Sequence, residues 1–261
     1  MIYARGKPSP TTYSTYYDIY LRRTEDCEEV QLTDTPGMDN TGPRLSPDGS
    51  KIVFSSERDG DAEIFIMATD GTNLTQVTRN ETTDIEPDWA ADDSSRIIFT
   101  GFRNNTYGLY TINSSGRDER WLNLPYARHS DWSTRGKIAF VSHDGTQRVF
   151  IMNSDGTDRQ AITEPGNYRH PVWSPDGEKL AYATPGGISV QERPGSGVPP
   201  RAVFNRAVEG PAWSPDALWL AVVKFENHLH TVLHVGVDGN GEVTDFLTGA
   251  NPVIDVEWGT H

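Results

Sequence analysis

Two histidines, His129 and His170, each stand three residues before a tryptophan in the sequence. The same offset from two other tryptophans gives Glu86 and Asp255. Imidazole and carboxylate groups are the ligand types that divalent metal ions take in proteins. If the fold places the four positions on one ring, they could hold calcium, zinc or manganese. The alternative is a polar wall of a water-filled channel, in which such side chains bind only water and one another.

A second set of residues could bind an organic ligand near the same ring. Guanidinium groups pair with carboxylates through two parallel hydrogen bonds, and exposed aromatic rings stack on sugars or contact peptides. The alternatives are ordinary surface ion pairs for the arginines and packing beneath loops for the rings. The predicted ligand-binding residues are Arg44, Arg128, Arg169, Tyr13, Tyr16, Tyr126 and Tyr168.

These positions recur because the chain is built from an internal repeat. Its clearest copy is residues 171–184, PVWSPDGEKLAYAT, in which a strand, a tight turn and a second strand follow one another. In the turn, Pro175 fixes φ and Gly177 supplies a left-handed residue. The equivalent anchor positions, 40 to 45 residues apart, are Leu45, Trp89, Trp132, Trp173, Trp213 and Trp258. The strand after each anchor carries a large residue that we predict to be core: Phe54, Phe99, Phe140, Tyr182 and Val222.

Each anchor begins four short strand segments within about forty residues, which is typical of a β-propeller blade. Only three residues follow Trp258, and residues 1–33 supply the three strands that this last blade lacks. The sequence therefore predicts one all-β domain over residues 1–261. This domain is a six-bladed β-propeller with four antiparallel strands per blade, closed by the C-terminal strand joined to the N-terminal strands. The predicted blades are 42–78, 85–124, 128–163, 169–206, 210–248, and 253–261 with 1–33.

The two ends of this propeller differ in their loops. The turns between strands one and two, and between strands three and four, lie at one end and are uniform; we call this end the turn mouth. The remaining connections differ greatly from blade to blade, and the long stretch 5–16 is among them. Binding residues concentrate on variable loops carried by a rigid scaffold. We therefore expect a ligand at this second end, the variable mouth, where the first strand of each blade begins.

The Ser-Pro-Asp-Gly turn after a tryptophan, with Asp-Gly-Thr downstream as at 70–72 and 155–157, resembles the WD-like repeat of the TolB propeller family. The resemblance covers essentially the whole chain; residues 133–136, 90–93 and Ala217 depart from the pattern. It implies a periplasmic or secreted protein, although Met1 to Arg5 do not have the pattern of a signal peptide. Propellers with related repeats include oligogalacturonate lyases, whose channel histidines hold a metal.

The composition of the chain disfavours some classes of binding partner. The 261 residues carry a net charge of −14, which disfavours binding to nucleic acid and to anionic membranes. No apolar run is long enough to span a membrane, so we expect no membrane insertion. The single cysteine, Cys27, has no partner for an internal disulfide. We expect a monomer.

These observations favour a non-catalytic binding or scaffold propeller that recognises a protein, a peptide or a glycan at the variable mouth. No catalytic residue is assigned, because the sequence has no nucleophile elbow, phosphate loop or Cys-x-x-Cys pair. The alternative is a metal-dependent enzyme, either similar to a polysaccharide lyase or a hydrolase, with its site in the channel. A further possibility is a propeller module of a larger enzyme, as in propeller-gated peptidases.

Overall fold

The computed structural model describes residues 1–9, 14–23, 28–91, 94–143, 145–206, 208–226, 229–238, 243–249 and 251–258, with the backbone alone for 243–249. Within these residues, all extended regular structure is β-strand, and the strands form six four-stranded antiparallel sheets. The described residues include no helix with the length and apolar character needed to cross a membrane. The predicted all-β, six-bladed architecture is confirmed.

Five of the sheets are continuous in sequence, and each runs from its innermost to its outermost strand in chain order. Blade 1 consists of β4 (Asn40–Leu45), β5 (Lys51–Ser56), β6 (Glu63–Ala68) and β7 (Thr75–Gln76). Blade 2 consists of β8 (Asp84–Trp89), β9 (Arg96–Arg103), β10 (Thr106–Asn113) and β11 (Arg120–Pro125). Blade 3 consists of β12 (Ala127–Trp132), β13 (Lys137–Ser142), β14 (Arg148–Asn153) and β15 (Gln160–Ala161). Blade 4 consists of β16 (Arg169–Trp173), β17 (Lys179–Thr184), β18 (Gly187–Glu192) and β19 (Arg201–Phe204). Blade 5 consists of β20 (Glu209–Trp213), β21 (Trp219–Glu226), β22 (Leu229–Gly236) and β23 (Val243–Gly249).

The sixth sheet joins the two ends of the chain. Its strands are β24 (Val253–Glu257), β1 (Ile2–Pro8), β2 (Thr15–Arg22) and β3 (Glu29–Gln31). The pairing of β24 with β1 is antiparallel, with Ala4 opposite Ile254 and Arg5 opposite Val253. Hydrogen bonds between the first and last strands therefore close the ring, as predicted.

The Ser-Pro-Asp-Gly turns are held by their own side chains. In blade 4 the Gly177 N–H donates to the Ser174 carbonyl at 2.7 Å, and Gly177 has φ +68°. The Ser174 hydroxyl accepts a hydrogen bond from the Lys179 N–H at 2.9 Å. The same serine interaction recurs at Ser46 and Ser214, also at 2.9 Å. The repeated motif thus fixes the return from the first strand to the second in each of these blades.

Apolar residues between neighbouring blades form the core. The five positions predicted from the repeat are 0–1% exposed: Phe54, Phe99, Phe140, Tyr182 and Val222. In three blades a threonine after the fourth strand links the end of that strand to the third strand of the same blade, because its hydroxyl accepts the N–H of a third-strand residue. These pairs are Ile19 with Thr33, Ile64 with Thr78 and Val149 with Thr163, at 2.8–3.0 Å.

Candidate functional site

The ring of residues three positions before the anchors coincides with a break in strand pairing. In β4, β8, β12, β16 and β20 the register with the second strand shifts at this point. The backbone is left-handed at most of these positions: φ is +61° at Gly42, +55° at Glu86, +52° at His129, +45° at His170 and +51° at Asp255. Such bulges redirect a side chain relative to the strand. Successive side chains of a regular strand point to opposite faces. The bulges therefore explain why neighbouring residues of one strand line the channel together.

Glu86, His129, His170 and Asp255 share one cavity of about 220 Å³ in the channel, on the side of the variable mouth. One Glu86 oxygen lies 3.0 Å from His129 Nε2 and 2.8 Å from Arg128 Nη2. Its other oxygen accepts the His129 N–H at 3.0 Å and the Thr100 hydroxyl at 2.9 Å. The structure therefore brings the predicted ring together, with Glu86 at the centre of its hydrogen bonds.

The charges of this cluster follow from these contacts. Burial opposes ionisation of Glu86, but His129, Arg128 and the His129 N–H outweigh it and hold the Glu86 pKa below its usual range. Burial, reinforced by neighbouring His129, lowers the pKa of His170 to about 3. His170 is therefore neutral at physiological pH, and its ring lies 4.3 Å from that of His129.

Two polar atoms in the same cavity lining have no hydrogen-bond partner among the residues that the structure describes. They are His129 Nδ1 and Ser130 Oγ, and both are buried. Buried polar atoms in proteins almost always have a partner, so unpaired atoms in a cavity indicate a place for a ligand or ordered water. Ser130 is not among the residues predicted from the sequence, since nothing in the repeat distinguishes it.

The predicted metal site stays a prediction. Among the described residues, no group of three or more histidine, cysteine, aspartate or glutamate side chains is arranged to hold a metal ion. Both Glu86 oxygens already accept hydrogen bonds from protein groups. The Asp255 carboxylate is hydrogen-bonded to the backbone of the neighbouring blade, since its Oδ2 accepts the Gly42 N–H at 2.9 Å.

A second ring, one residue before the anchors, links successive blades. Glu257 accepts the Leu45 N–H at 2.6 Å. Asp88 and Asp131 accept the N–H groups of Trp132 and Trp173, both at 2.8 Å. In this ring the carboxylate of one blade thus binds the anchor backbone of the next blade. The predicted ligand residue Arg44 lies within this acidic ring, half-buried, rather than at the rim.

Burial raises the pKa values of the acidic residues in this ring, and the one arginine among them opposes the shift. Burial raises the pKa of Glu257 to about 8, although Arg44 opposes the shift. Burial likewise raises the pKa of Asp88 to about 6 and that of Asp131 well above its ordinary value, with Asp88 adding repulsion at Asp131. The ring separates the channel cavity from a cavity of about 320 Å³ at the turn mouth.

The remaining predicted residues lie in different surroundings at the variable mouth. Tyr126 is 52% exposed, whereas Tyr168 is half-buried, with its ring 5.6 Å from that of Tyr182 and edge-on to it. The Arg128 guanidinium lies 4.9 Å from the centre of the Tyr107 ring. Arg169 is exposed and lies 3.7 Å from Glu209.

Two predicted tyrosines do not form part of a described rim. Tyr16 was expected in the long loop, but it belongs to β2, pairs with Lys7 and is only 8% exposed. The expectation was wrong because β1 and β2 extend further towards the variable mouth than the sequence pattern indicated. Tyr13 and Cys27 lie outside the described residues.

Six four-stranded sheets around a polar channel define a six-bladed β-propeller built from WD-like repeats. A family model described as the TolB beta propeller domain matches residues 12–193, and the chain belongs to that family.

Proteins that are similar to this chain in sequence or in fold also carry the name TolB. The chain is 32% identical to a protein named "Protein TolB homolog" from Chlorobium luteolum over 149 residues, which are 54% of this chain and 33% of that relative. The chain thus spans about a third of the length of this relative. Its fold is similar to the crystal structure of TolB from Acinetobacter baumannii, with a TM-score of 0.83, 16% identity, and coverage of 98% of this chain and 66% of that chain.

A solved structure of an oligogalacturonate lyase in complex with manganese also has a similar fold. The TM-score is 0.60 and the identity 14%, over 94% of this chain and 75% of the lyase chain. Identities at this level show the fold alone. The likeness therefore assigns neither a metal nor an activity to this chain.

Proposed function

We propose that this chain is a non-catalytic binding propeller whose variable mouth holds a segment of a partner protein. A TolB-like propeller fits a non-catalytic, protein-binding role at the level of the family. The observation that carries the proposal here is the pair of unpartnered buried atoms, His129 Nδ1 and Ser130 Oγ, in the lining of the channel cavity.

A peptide group matches what these two atoms lack. When His129 is neutral and its Nε2–H donates to Glu86, Nδ1 accepts a hydrogen bond and needs an N–H donor. When His129 is protonated, Nδ1–H donates and needs a carbonyl. A main-chain amide offers both an N–H and a carbonyl, and a serine hydroxyl pairs with either. The cavity of about 220 Å³ accommodates one or two residues of a chain rather than a folded surface.

The rim adds contact area around this cavity. Tyr126 is the exposed aromatic residue directly before β12, and Arg128 covers the Tyr107 ring beside it. Aromatic and arginine side chains contribute most of the binding energy at many protein interfaces. These side chains would contact the partner on either side of the inserted segment.

Selection of binders from a random peptide library displayed on phage, with the intact chain as bait, tests this proposal. We expect peptides whose affinity falls at least tenfold in Tyr126→Ala and in His129→Asn, since asparagine tolerates the left-handed backbone of position 129. Leu218→Ala is the matched control, because Leu218 is 62% exposed next to a turn of the turn mouth.

The proposal fails if the selected peptides keep their affinity in both variants of the variable mouth. It also fails if Leu218→Ala weakens them equally. A glycan array probed with the same proteins is the parallel arm of the test. Saturable glycan binding that depends on Tyr126, with no peptide selected, would replace the protein segment by a glycan.

A further inference from the structure

A further cavity opens at the variable mouth between blades 3 and 4, outside the channel. Its volume is about 520 Å³. Blade 3 contributes Arg148 and Thr163, blade 4 contributes Tyr182 and Ser189, and the connection between the blades contributes Tyr168. None of its lining residues belongs to the lining of the channel cavity.

The Tyr182 hydroxyl lacks the partner that its counterpart in blade 6 has, since the buried Tyr3 hydroxyl donates to Glu29. The equivalent residues in blades 1, 2 and 3 are Phe54, Phe99 and Phe140, and all are fully buried. Tyr182 is equally buried, at 1% exposed, and its hydroxyl has no hydrogen-bond partner within the described part of the chain. Phenylalanine fills this site in three blades without that unpaired group. Packing therefore does not explain the hydroxyl in blade 4.

Arg148 is the second unpartnered group in this cavity. Its side chain is half-buried, and its buried Nε finds no hydrogen-bond partner in the described ranges. Its guanidinium forms no ion pair with any residue that the structure describes. The exposed Glu164 also lines the cavity, and it too has no ion pair within the described part of the chain.

The internal repeat allows Arg148 to be compared with residues at the same position in other blades. Arg148 directly precedes Val149, whose N–H is bound by Thr163. The residues in the same position are Glu63 in blade 1 and Asp18 in blade 6, each of which precedes the corresponding threonine-bound residue. Blade 3 therefore has the opposite charge at a position that is acidic in two other blades.

At those two other junctions the acidic residue of this position has hydrogen-bond partners within the protein. Asp18 binds the Thr33 hydroxyl at 2.9 Å and the Asn40 amide at 3.2 Å, and it lies 3.2 Å from Lys7 Nζ. Glu63 contacts Asn80, which in turn reaches an Asp84–Arg103 ion pair of 2.6 Å. At the junction of blades 3 and 4, the described residues supply no comparable partner for Arg148, and a cavity remains.

We propose that this cavity is a binding site for a carboxylate group. The Arg148 guanidinium would pair with both carboxylate oxygens, and the Tyr182 hydroxyl would donate a further hydrogen bond to one of them. A single positive charge in a chain of net charge −14 suits a monoanion better than a phosphate dianion. The site does not depend on the proposed function of the channel, since the two cavities share no residue.

Titration followed by NMR tests the site in the full chain. The probes are sodium acetate and glutamate capped as its N-acetyl α-amide, and the signals are the Arg148 Nε–H and the backbone amides of Asn167 and Tyr168. We expect saturable shifts in the wild-type protein. Affinity should fall about tenfold or more in Arg148→Gln and about threefold to tenfold in Tyr182→Phe. Arg135→Gln, which removes an equal charge at the turn mouth, should bind like the wild type.

The Tyr182→Phe variant also separates binding from folding. Because phenylalanine occupies the equivalent sites of three blades, this variant should have a thermal midpoint equal to or above that of the wild type. Tighter binding of the capped glutamate than of acetate would identify an acidic side chain of a protein as the source, and equal binding a free small carboxylate. The proposal is overturned if no probe gives saturable shifts, if phosphate binds more tightly than either carboxylate, or if Arg148→Gln or Tyr182→Phe binds like the wild type.

Discussion

Glu86, His129, His170 and Asp255 adopt a left-handed backbone that costs residues other than glycine roughly 1–2 kcal/mol each. Strained backbone of this kind is found mostly at binding and catalytic sites. In this chain the bulges turn the four side chains into one cavity, where His129 Nδ1 is left without a partner. The residues with strained backbone therefore line the same cavity in which we propose that a ligand binds.

The raised pKa of Glu257 in the acidic ring predicts that the free energy of unfolding depends on pH. The Glu257 pKa rises from an ordinary 4.5 to about 8, mainly through burial. The folded state thus holds a proton that the unfolded chain releases, so this contribution to stability is present below about pH 4.5 and is lost as pH rises through 8. Glu257→Gln should be close to the wild type at pH 5 and exceed its free energy of unfolding by about 4 kcal/mol at pH 9. Urea unfolding at both pH values measures this.

Glu192→Gln is the control for that comparison, because Glu192 is an exposed glutamate 3.6 Å from Lys179 at the blade surface. Its free energy of unfolding should change little, and by the same amount at both pH values. If Glu257→Gln also shows the same difference at pH 5 and pH 9, the carboxyl is already ionised in the folded protein and the burial argument is wrong.

At the scale of the element, the tight turns show how one backbone requirement is met by different residues. Gly49, Gly136 and Gly177 take φ values of +68° to +69° at equivalent points of the first turn. Blade 5 has Ala217 there, with φ +57°. Its N–H still donates to the Ser214 carbonyl at 2.9 Å, so the turn forms despite the strain.

Because of this difference, we expect one substitution at each of two turns to change the free energy of unfolding in opposite directions. Ala217→Gly should raise the free energy of unfolding by about 1 kcal/mol, because it relieves the left-handed strain. Gly136→Ala should lower it by about 1–2 kcal/mol from strain alone, since the nearest atom that an added Cβ would meet is 3.8 Å away. Thermal unfolding followed by circular dichroism measures both. Equal effects of the same sign would show that backbone strain does not control these turns.

At the scale of the whole molecule, closure depends on the contact between β1 and the segment that leads into β24. The Gly6 N–H donates to the Pro252 carbonyl at 2.7 Å. A Cβ at Gly6 would lie 2.4 Å from the Pro252 ring and 2.6 Å from the Thr15 methyl group. Only glycine therefore allows the two ends of the chain to approach this closely.

Gly6→Ala should weaken the closing blade and so destabilise the entire ring. We expect a loss of about 1–3 kcal/mol in the free energy of unfolding, because the proline ring cannot move aside without shifting β24. Gly186→Ala is the control, since an added Cβ there meets nothing closer than 3.9 Å, and it should change stability by under about 0.5 kcal/mol. Urea unfolding followed by tryptophan fluorescence compares them. A Gly6→Ala protein as stable as the control would show that closure tolerates the extra volume.

The fold was predictable because each blade repeats the same local sequence features. The Pro-Asp-Gly turns, the alternating apolar strands and the anchor tryptophans specify the blade, and the incomplete blades at the two ends specify closure. The candidate site was predictable only in part. The ring of Glu86, His129, His170 and Asp255 follows from counting back from the anchors, whereas the bulges that orient it appear in the sequence only as the glycines at positions 42 and 210. Tyr16 was misplaced because strand length is not encoded by the repeat.

The sequence by itself determined the number of blades, the two mouths and the residues that face the channel, because all of these depend on contacts within a blade and on its period. Only the tertiary structure decided which polar groups are satisfied and which are not. Arg148 and Tyr182 lie in different blades, and their lack of partners becomes visible only when the neighbouring blade is in place. Hydrogen bonding of buried groups is a property of pairs brought together from distant parts of the chain, and no local pattern records it.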